Sequence, residues 1–118
     1  MSSIIEIRCV KMLRLLADRT RWQIVSALIR EPLTVTKIAK LVGVAQFNAS
    51  KHLRILREGG LLVAERRGQE VIYSIEPGYR TTVDGLTMDL GFSTFRFDIP
   101  AKGNLAEAYD SRAPVPGL

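Results

Sequence analysis

Gln46-Phe47-Asn48-Ala49-Ser50-Lys51-His52-Leu53-Arg54-Ile55-Leu56-Arg57 is the run of residues from which the fold can be read. On a helix of 3.6 residues per turn, Ala49, Leu53 and Leu56 fall at i, i+4 and i+7 and make one apolar stripe, while Gln46, Ser50, Lys51, Arg54 and Arg57 take the other side. That outer side is basic and rich in hydrogen-bond donors. Gln, Ser, Lys and Arg are residue types that reach base edges and phosphates, and the major groove of DNA is wide enough for one helix. The pattern predicts a recognition helix over 46–57.

The flanking residues give this helix a setting. After the turn at Glu31-Pro32-Leu33, Thr34 or Thr36 can cap a short helix whose Val35, Ile38, Ala39 and Val42 keep the 3.6 period. Gly43 supplies its stop, so a brief Gly43-Val44-Ala45 turn joins it to the helix at Gln46 in a helix-turn-helix layout. Gly59-Gly60 ends the recognition helix. Two β-rich runs, Leu61 to Glu65 and Glu70 to Ile75, then surround Arg66-Arg67-Gly68-Gln69 and predict a hairpin with a basic tip. A helix-turn-helix followed at once by such a hairpin is a winged helix.

Upstream, Ile4, Ile5, Ile7, Val10, Leu13, Leu15, Leu16 and Ala17 cover more than one face of a helix, which predicts burial on two sides, one against the domain core and one against a second subunit. Asp18 or Thr20 offers the N-cap of a second helix carrying Ile24, Val25, Leu28 and Ile29, which stops before Pro32. Trp22 reads as a core or interface anchor.

With 118 residues and 47% hydrophobic content the chain is expected to form one small domain. Its net charge of +5 is uneven: residues 1–76 hold 13 Lys/Arg against 7 Asp/Glu, whereas 77–118 hold 4 against 5. The positive charge lies where the recognition helix lies, which suits a polyanionic partner. The stretch from Ile4 to Ala17 is interrupted by Glu6, Arg8, Lys11 and Arg14 and reads as neither a signal segment nor a membrane span, which points to a cytoplasmic protein that does not enter membranes. One cysteine, Cys9, excludes an intramolecular disulfide and reads as a buried small hydrophobe. Catalysis is not expected. His52, the one histidine, has no matched nucleophile, and no phosphate-cradling glycine motif follows a strand.

Over residues 8–76 the sequence resembles the ArsR/SmtB family of dimeric winged-helix repressors. The resemblance is carried by Leu16-Ala17-Asp18-Arg19-Thr20-Arg21, by Gln46 with Ser50-Lys51-His52-Leu53-Arg54-Ile55-Leu56, by Gly60-Leu61-Leu62-Val63, and by Arg66-Arg67-Gly68-Gln69-Glu70-Val71-Ile72-Tyr73-Ser74-Ile75. It implies a homodimer that binds an imperfect palindrome in double-stranded DNA and represses a promoter until a signal, here unknown, releases it. By position, Gln46, Phe47, Ser50 and Lys51 would face the groove, Arg54, Arg66, Arg67 and Gln69 would lie nearer phosphates, and Asn48 completes the candidate set. Phe47 departs from the small or polar residue usual there. It either contacts a thymine methyl or turns inward against the third helix.

The resemblance also suggests where a signal could bind. Members that sense soft metals carry a Cys-x-Cys pair at the positions of Thr34 and Thr36, and hydroxyls do not replace thiolates. Others use Asp-x-His with His-x-x-Glu/His on a C-terminal helix, and residues 77–118 contain no histidine. A transition-metal site takes about four N, S or O ligands, so no metal site and no cofactor are expected. His52 is expected to pack or to touch phosphate. An intersubunit Cys9 pair acting as a thiol switch is an alternative, as is a winged helix that binds protein or RNA, although the donor-rich helix and basic hairpin favour duplex DNA.

Pro77 to Val83 can begin a dimerisation helix, but Gly85 and Gly91 discourage its continuation. From Leu86 the period is 2, with Leu86, Met88, Leu90 and Phe92 apolar. The parity then shifts to Phe95, Phe97 and Ile99, as a bulge near Ser93-Thr94 would produce. Residues 86–99 are thus expected as one extended strand that supports the dimer, pairing with the hairpin or with its counterpart in the other subunit. Its phenylalanines are read as packing rather than as a ligand pocket, and 100–118, with Pro114 and Pro116, as a flexible tail. The expected architecture is mainly α with a β-hairpin (α+β), a dimeric winged helix-turn-helix over 1–85 with that additional C-terminal strand.

Overall fold

Two short polar side chains decide where the first helices begin. In the structure, a computed structural model that describes residues 3–81, 87–91 and 93–97, the hydroxyl of Ser3 accepts from the N–H of Glu6 and starts α1, Ile4–Leu16. The carboxylate of Asp18 accepts from the N–H of Arg21 and starts α2, Arg19–Leu28. Each satisfies an amide that a helix start leaves without an internal partner. Asp18, not Thr20, is therefore the cap. A two-residue strand, β1 (Leu33–Thr34), leads into α3 (Val35–Val42), and here the cap is Thr34 rather than Thr36, its hydroxyl accepting from the N–H of Lys37.

Gly43 closes α3 at φ 72°, a left-handed conformation that costs a side-chain-bearing residue about 1–2 kcal/mol. The chain turns through Val44 and Ala45 into α4, Gln46–Glu58, one residue longer than the sequence pattern predicts. Strands β2 (Leu62–Arg67) and β3 (Glu70–Ile75) pair antiparallel with Arg67 opposite Glu70, so the expected hairpin forms with a two-residue tip of Gly68 and Gln69. Strand β1 adds to the other edge of β3, with Leu33 opposite Tyr73, which ties the start of α3 to the wing.

The core lies where α2, α3 and α4 meet the base of the hairpin. Ala49, Leu53 and Leu56 are fully buried, as their spacing predicts, together with Ile24, Ile38 and Leu61. A fully buried Leu or Ile contributes about 1.5–3 kcal/mol by leaving water. Helix α1 behaves differently: Met12 and Leu16 are buried, but Ile4 is 71% exposed and Leu13 52% exposed, and Ile5, Ile7 and Val10 are exposed beside them. One of the two apolar sides expected for α1 thus has no cover among the described residues. Among the described residues no helix is long and apolar enough to cross a membrane.

The C-terminal segment corrects two expectations. Where Pro77 to Val83 suggested the start of a helix, residues 80 and 81 form a short strand, β4 (Arg80–Thr81). Where one bulged strand was expected over 86–99, there are two, β5 (Thr87–Asp89) and β6 (Thr94–Arg96), joined by a reversal with Gly91 at φ 85°. The N–H of Gly91 donates to the carboxylate of Asp89 at 2.8 Å, and the N–H of Leu90 to the carbonyl of Ser93. A parity change is produced by a hairpin as well as by a bulge, and the hairpin satisfies the backbone groups within the chain. Strand β5 also pairs with β4, giving a second three-stranded sheet in the order β4-β5-β6. Phe92 and residues 98–118, including the expected tail, lie outside the described residues.

This second sheet docks on the winged-helix core. Met88 and Phe97 are fully buried, and the rings of Phe97 and Trp22 lie 4.3 Å apart, centroid to centroid, at 34°. Trp22 is thus the anchor that the sequence suggested. Truncating Phe97 removes both the ring contact and buried area, and buried Phe→Ala changes cost about 3–5 kcal/mol. The Phe97→Ala variant is therefore expected to unfold at a clearly lower urea midpoint than the wild type. A midpoint unchanged by the substitution would contradict the docking of the second sheet.

Candidate nucleic-acid interface

Burial of the Ala49, Leu53 and Leu56 stripe turns the opposite side of α4 to solvent. Gln46, Asn48, Ser50, Lys51, Arg54 and Arg57 are all exposed. Phe47 is 82% exposed, so of its two open orientations the outward one is found and the inward one, against α3, is not. The first residues of α4 already have their apolar neighbour in Ala49, and nothing draws Phe47 to the core. Ala45 stands at the N-cap and has no side chain with which to cap. The first amides of α4 are consequently left to solvent or to an acceptor such as a phosphate, which a helix N-terminus favours electrostatically.

The cations on this face are lightly held. Arg54 meets Glu58 at 3.5 Å, but both side chains are well exposed and an i,i+4 surface pair is worth only about 0.3–0.5 kcal/mol. On the wing, Arg67 meets Glu65 at 3.3 Å and the Nε of Arg66 donates to the carbonyl of Gly68 at 3.3 Å, again at the surface. Gln69 is exposed at the tip. An open groove of about 650 Å³ runs between α4 and the wing, lined by Phe47, Ser50, Lys51, Arg54 and Arg57 and, from β3, by Tyr73. The helix face and the hairpin therefore border one concavity, as a winged helix requires.

His52 is on the same helix but does not share its face. Its side chain is 19% exposed, and its Nδ1 lies 3.4 Å from Nη1 of Arg21 and 3.9 Å from Oδ1 of Asp18. Of the two roles expected for His52, packing and phosphate contact, the structure shows packing. Arg21 also donates from Nε to the carbonyl of Leu15 at 2.6 Å and from Nη2 to that of Arg14 at 3.3 Å. The sequence reading missed Arg21. A signal was present in its place three residues after the Asp18 cap, but its reach to α1 and to α4 depends on tertiary geometry.

Partial burial pushes the carboxyl of Asp18 up, but the N–H of Arg21, the charges of His52 and Arg21, and the N–H of Thr20 outweigh it, and the net effect holds the group below the usual aspartate value. Cys9, expected to be buried, is half-buried on α1. The hydroxyl of Thr34 is engaged as a helix cap. Among the described residues no three His, Cys, Asp or Glu side chains come together as a group that could hold a metal ion.

Comparison with known proteins agrees with this geometry. A family model described as a helix-turn-helix domain matches residues 16–65. The transcriptional regulator NmtR of Mycobacterium tuberculosis is 40% identical over 63 residues, which are 53% of this chain and 52% of that protein. The chain thus spans about half the length of this curated relative. The crystal structure of NolR from Sinorhizobium fredii superimposes with a TM-score of 0.55 at 30% identity, covering 58% of this chain and 69% of NolR. The solution structure of a homodimeric winged helix-turn-helix DNA-binding domain from Mycobacterium bovis, a possible ArsR-family regulator, gives a TM-score of 0.56 at 29% identity over 64% of this chain and 73% of that one.

The lowered Asp18 carboxyl gives a pH signature to the cap. Its contribution is complete above the ordinary aspartate pKa of about 3.9 and is lost as pH falls through the lower folded value. Asp18→Ala should cost about 1 kcal/mol at neutral pH, a typical loss for an N-cap. Urea titrations of both proteins should show this gap closing below about pH 4. A gap that stayed constant down to strongly acidic pH would show that the carboxylate is not the source.

Proposed function

Because the chain belongs to the ArsR/SmtB family of winged helix-turn-helix regulators, we propose that it is a sequence-specific DNA-binding repressor acting as a homodimer on an imperfect palindrome. The observation that carries this reading is the solvent-facing side of α4, where Gln46, Phe47, Asn48, Ser50, Lys51 and Arg54 stand exposed while the opposite stripe is fully buried. In the dimer, two α4 helices enter successive major grooves about 34 Å apart. Gln46, Phe47, Asn48, Ser50 and Lys51 meet base edges. Arg54 and the wing residues Arg66, Arg67 and Gln69 meet phosphates, which position the protein without reading sequence.

The exposed apolar side of α1, from Ile4 to Leu13, supports the homodimer, since a stripe of isoleucines in water is stabilised by a second copy of itself. The β5–β6 hairpin supports that dimer indirectly, by bracing α2 through Phe97 and Trp22 in its own subunit. The protein acts in the cytoplasm, where its DNA is, and is not an enzyme. Derepression by a soft metal is disfavoured by the chemistry of Thr34 and Thr36, whose hydroxyls are poor ligands for such ions.

Two sets of variants separate positioning from reading. Arg66→Ala with Arg67→Ala should weaken every duplex to a similar degree and lower the salt dependence, whereas Gln46→Ala or Ser50→Ala should relax preference at individual base pairs by about 1–3 kcal/mol. With about six phosphates contacted, wild-type affinity for duplex DNA should fall with salt at a log-log slope near −5. Binding titrations in which neither set changed affinity for a duplex selected from random DNA would contradict docking through α4 and the wing.

A further inference from the structure

The Arg21 side chain touches the end of α1, the cap of α2 and the middle of α4 together. Its Nε and Nη2 hold the carbonyls of Leu15 and Arg14, two acceptors that the last turn of α1 leaves without helical partners. Its Nη1 faces the carboxylate of Asp18 at 3.9 Å and Nδ1 of His52 at 3.4 Å. A guanidinium has donors only, so this contact is a hydrogen bond in the tautomer whose Nδ1 is free to accept. Close by, α1 and α4 meet a second time: a Cβ on Gly59 would run into the side chain of Leu15, the residue whose carbonyl Arg21 holds.

We propose that Arg21, acting through His52, is a positioning residue that fixes α4 against the end of α1 and thereby sets the separation of the two recognition helices in the homodimer. The proposal rests on the dimeric DNA-binding reading above. Helix α1 carries the apolar stripe that meets the partner and α4 carries the reading face, so the angle between them is what a two-fold dimer converts into half-site spacing. Apolar contacts alone hold two helices together with little directional preference. Hydrogen bonds are directional, and the planar fork of arginine makes several at fixed angles where lysine makes a point contact. Arg21 and His52 are mostly shielded from water, with side chains 17% and 19% exposed, so these bonds meet little competition from solvent.

The separation can be read directly. A spin label on Ser50→Cys, in a Cys9→Ser background, reports the distance between the two α4 helices of the full-length dimer by pulsed electron paramagnetic resonance. The native junction should give one narrow distance distribution. His52→Leu, which removes the acceptor, and Arg21→Lys, which keeps the charge without the fork, should both lose the narrow peak to a broad one. His52→Asn, whose amide oxygen can stand near the place of Nδ1, should keep it narrow, which a purely volumetric role for His52 would not. Arg21→Lys retains a cation near the α1 carbonyls and decides the matter even where His52→Leu fails to fold. A narrow peak that survives His52→Leu and Arg21→Lys, or one lost equally in His52→Asn, overturns the junction and leaves the dimer standing. A parent protein that shows no distance at all is not a dimer, which overturns the dimeric reading and the spacing role with it.

Discussion

Ala49, Leu53 and Leu56 can leave water together only when α4 lies in one rotational setting against α2 and α3, and that constraint organises the rest of the molecule. Successive residues on a helix are about 100° apart, so a slip of one position would bury Ser50 or Arg54 and expose Leu53. The observed setting has all three stripe residues at zero exposure. Its consequence is that the donor-rich side faces outward without any residue on that side having to stabilise the fold. Folding and reading are divided between two faces of one helix, which leaves the outer face free to vary with the sequence it meets.

The elements around α4 convert an exposed helix into a docking surface. Gly43 sets its angle to α3, and the hairpin that follows brings Tyr73 of β3 to the border of the groove along α4. Lightly held surface pairs at Arg54 and Arg67 keep these cations available to phosphates at little energetic cost. On the far side, α1 leaves an apolar stripe uncovered, and the second sheet secures α2 by way of Phe97 and Trp22. The chain is thus built so that its two unsatisfied surfaces, one basic and one apolar, lie on different elements joined at Arg21.

What could be read from the sequence was what depends on local pattern. The stripe of α4 and the stop at Gly43 are each decided by a few neighbouring residues and are found where the pattern places them; the hairpin forms too, but β2 runs on through Arg66 and Arg67, so the tip expected over 66–69 narrows to Gly68-Gln69. Capping was legible as a pair of options in two places, and the geometry chose Asp18 and Thr34. The segment from 87 to 97 was misread because alternation with a parity shift describes a bulged strand and a hairpin equally well, and only pairing distinguishes them. Asp89, Gly91 and Ser93 are turn residues and were the available clue. Arg21 was beyond the reach of pattern, since its partners are 7 residues back in α1 and 31 residues forward in α4. Phe47 was ambiguous for a related reason: an aromatic at the start of a helix can face either way until its neighbours are placed.

The most direct test of docking through α4 is a map of backbone amide chemical shifts in the labelled protein as a duplex selected from random DNA is added. Contact through the outer face of α4 and the wing predicts that the largest changes fall on residues 46–54 and 66–69, with α1 and the β5–β6 hairpin nearly still. Changes concentrated on α1 or on the second sheet, with 46–54 unmoved, would contradict it.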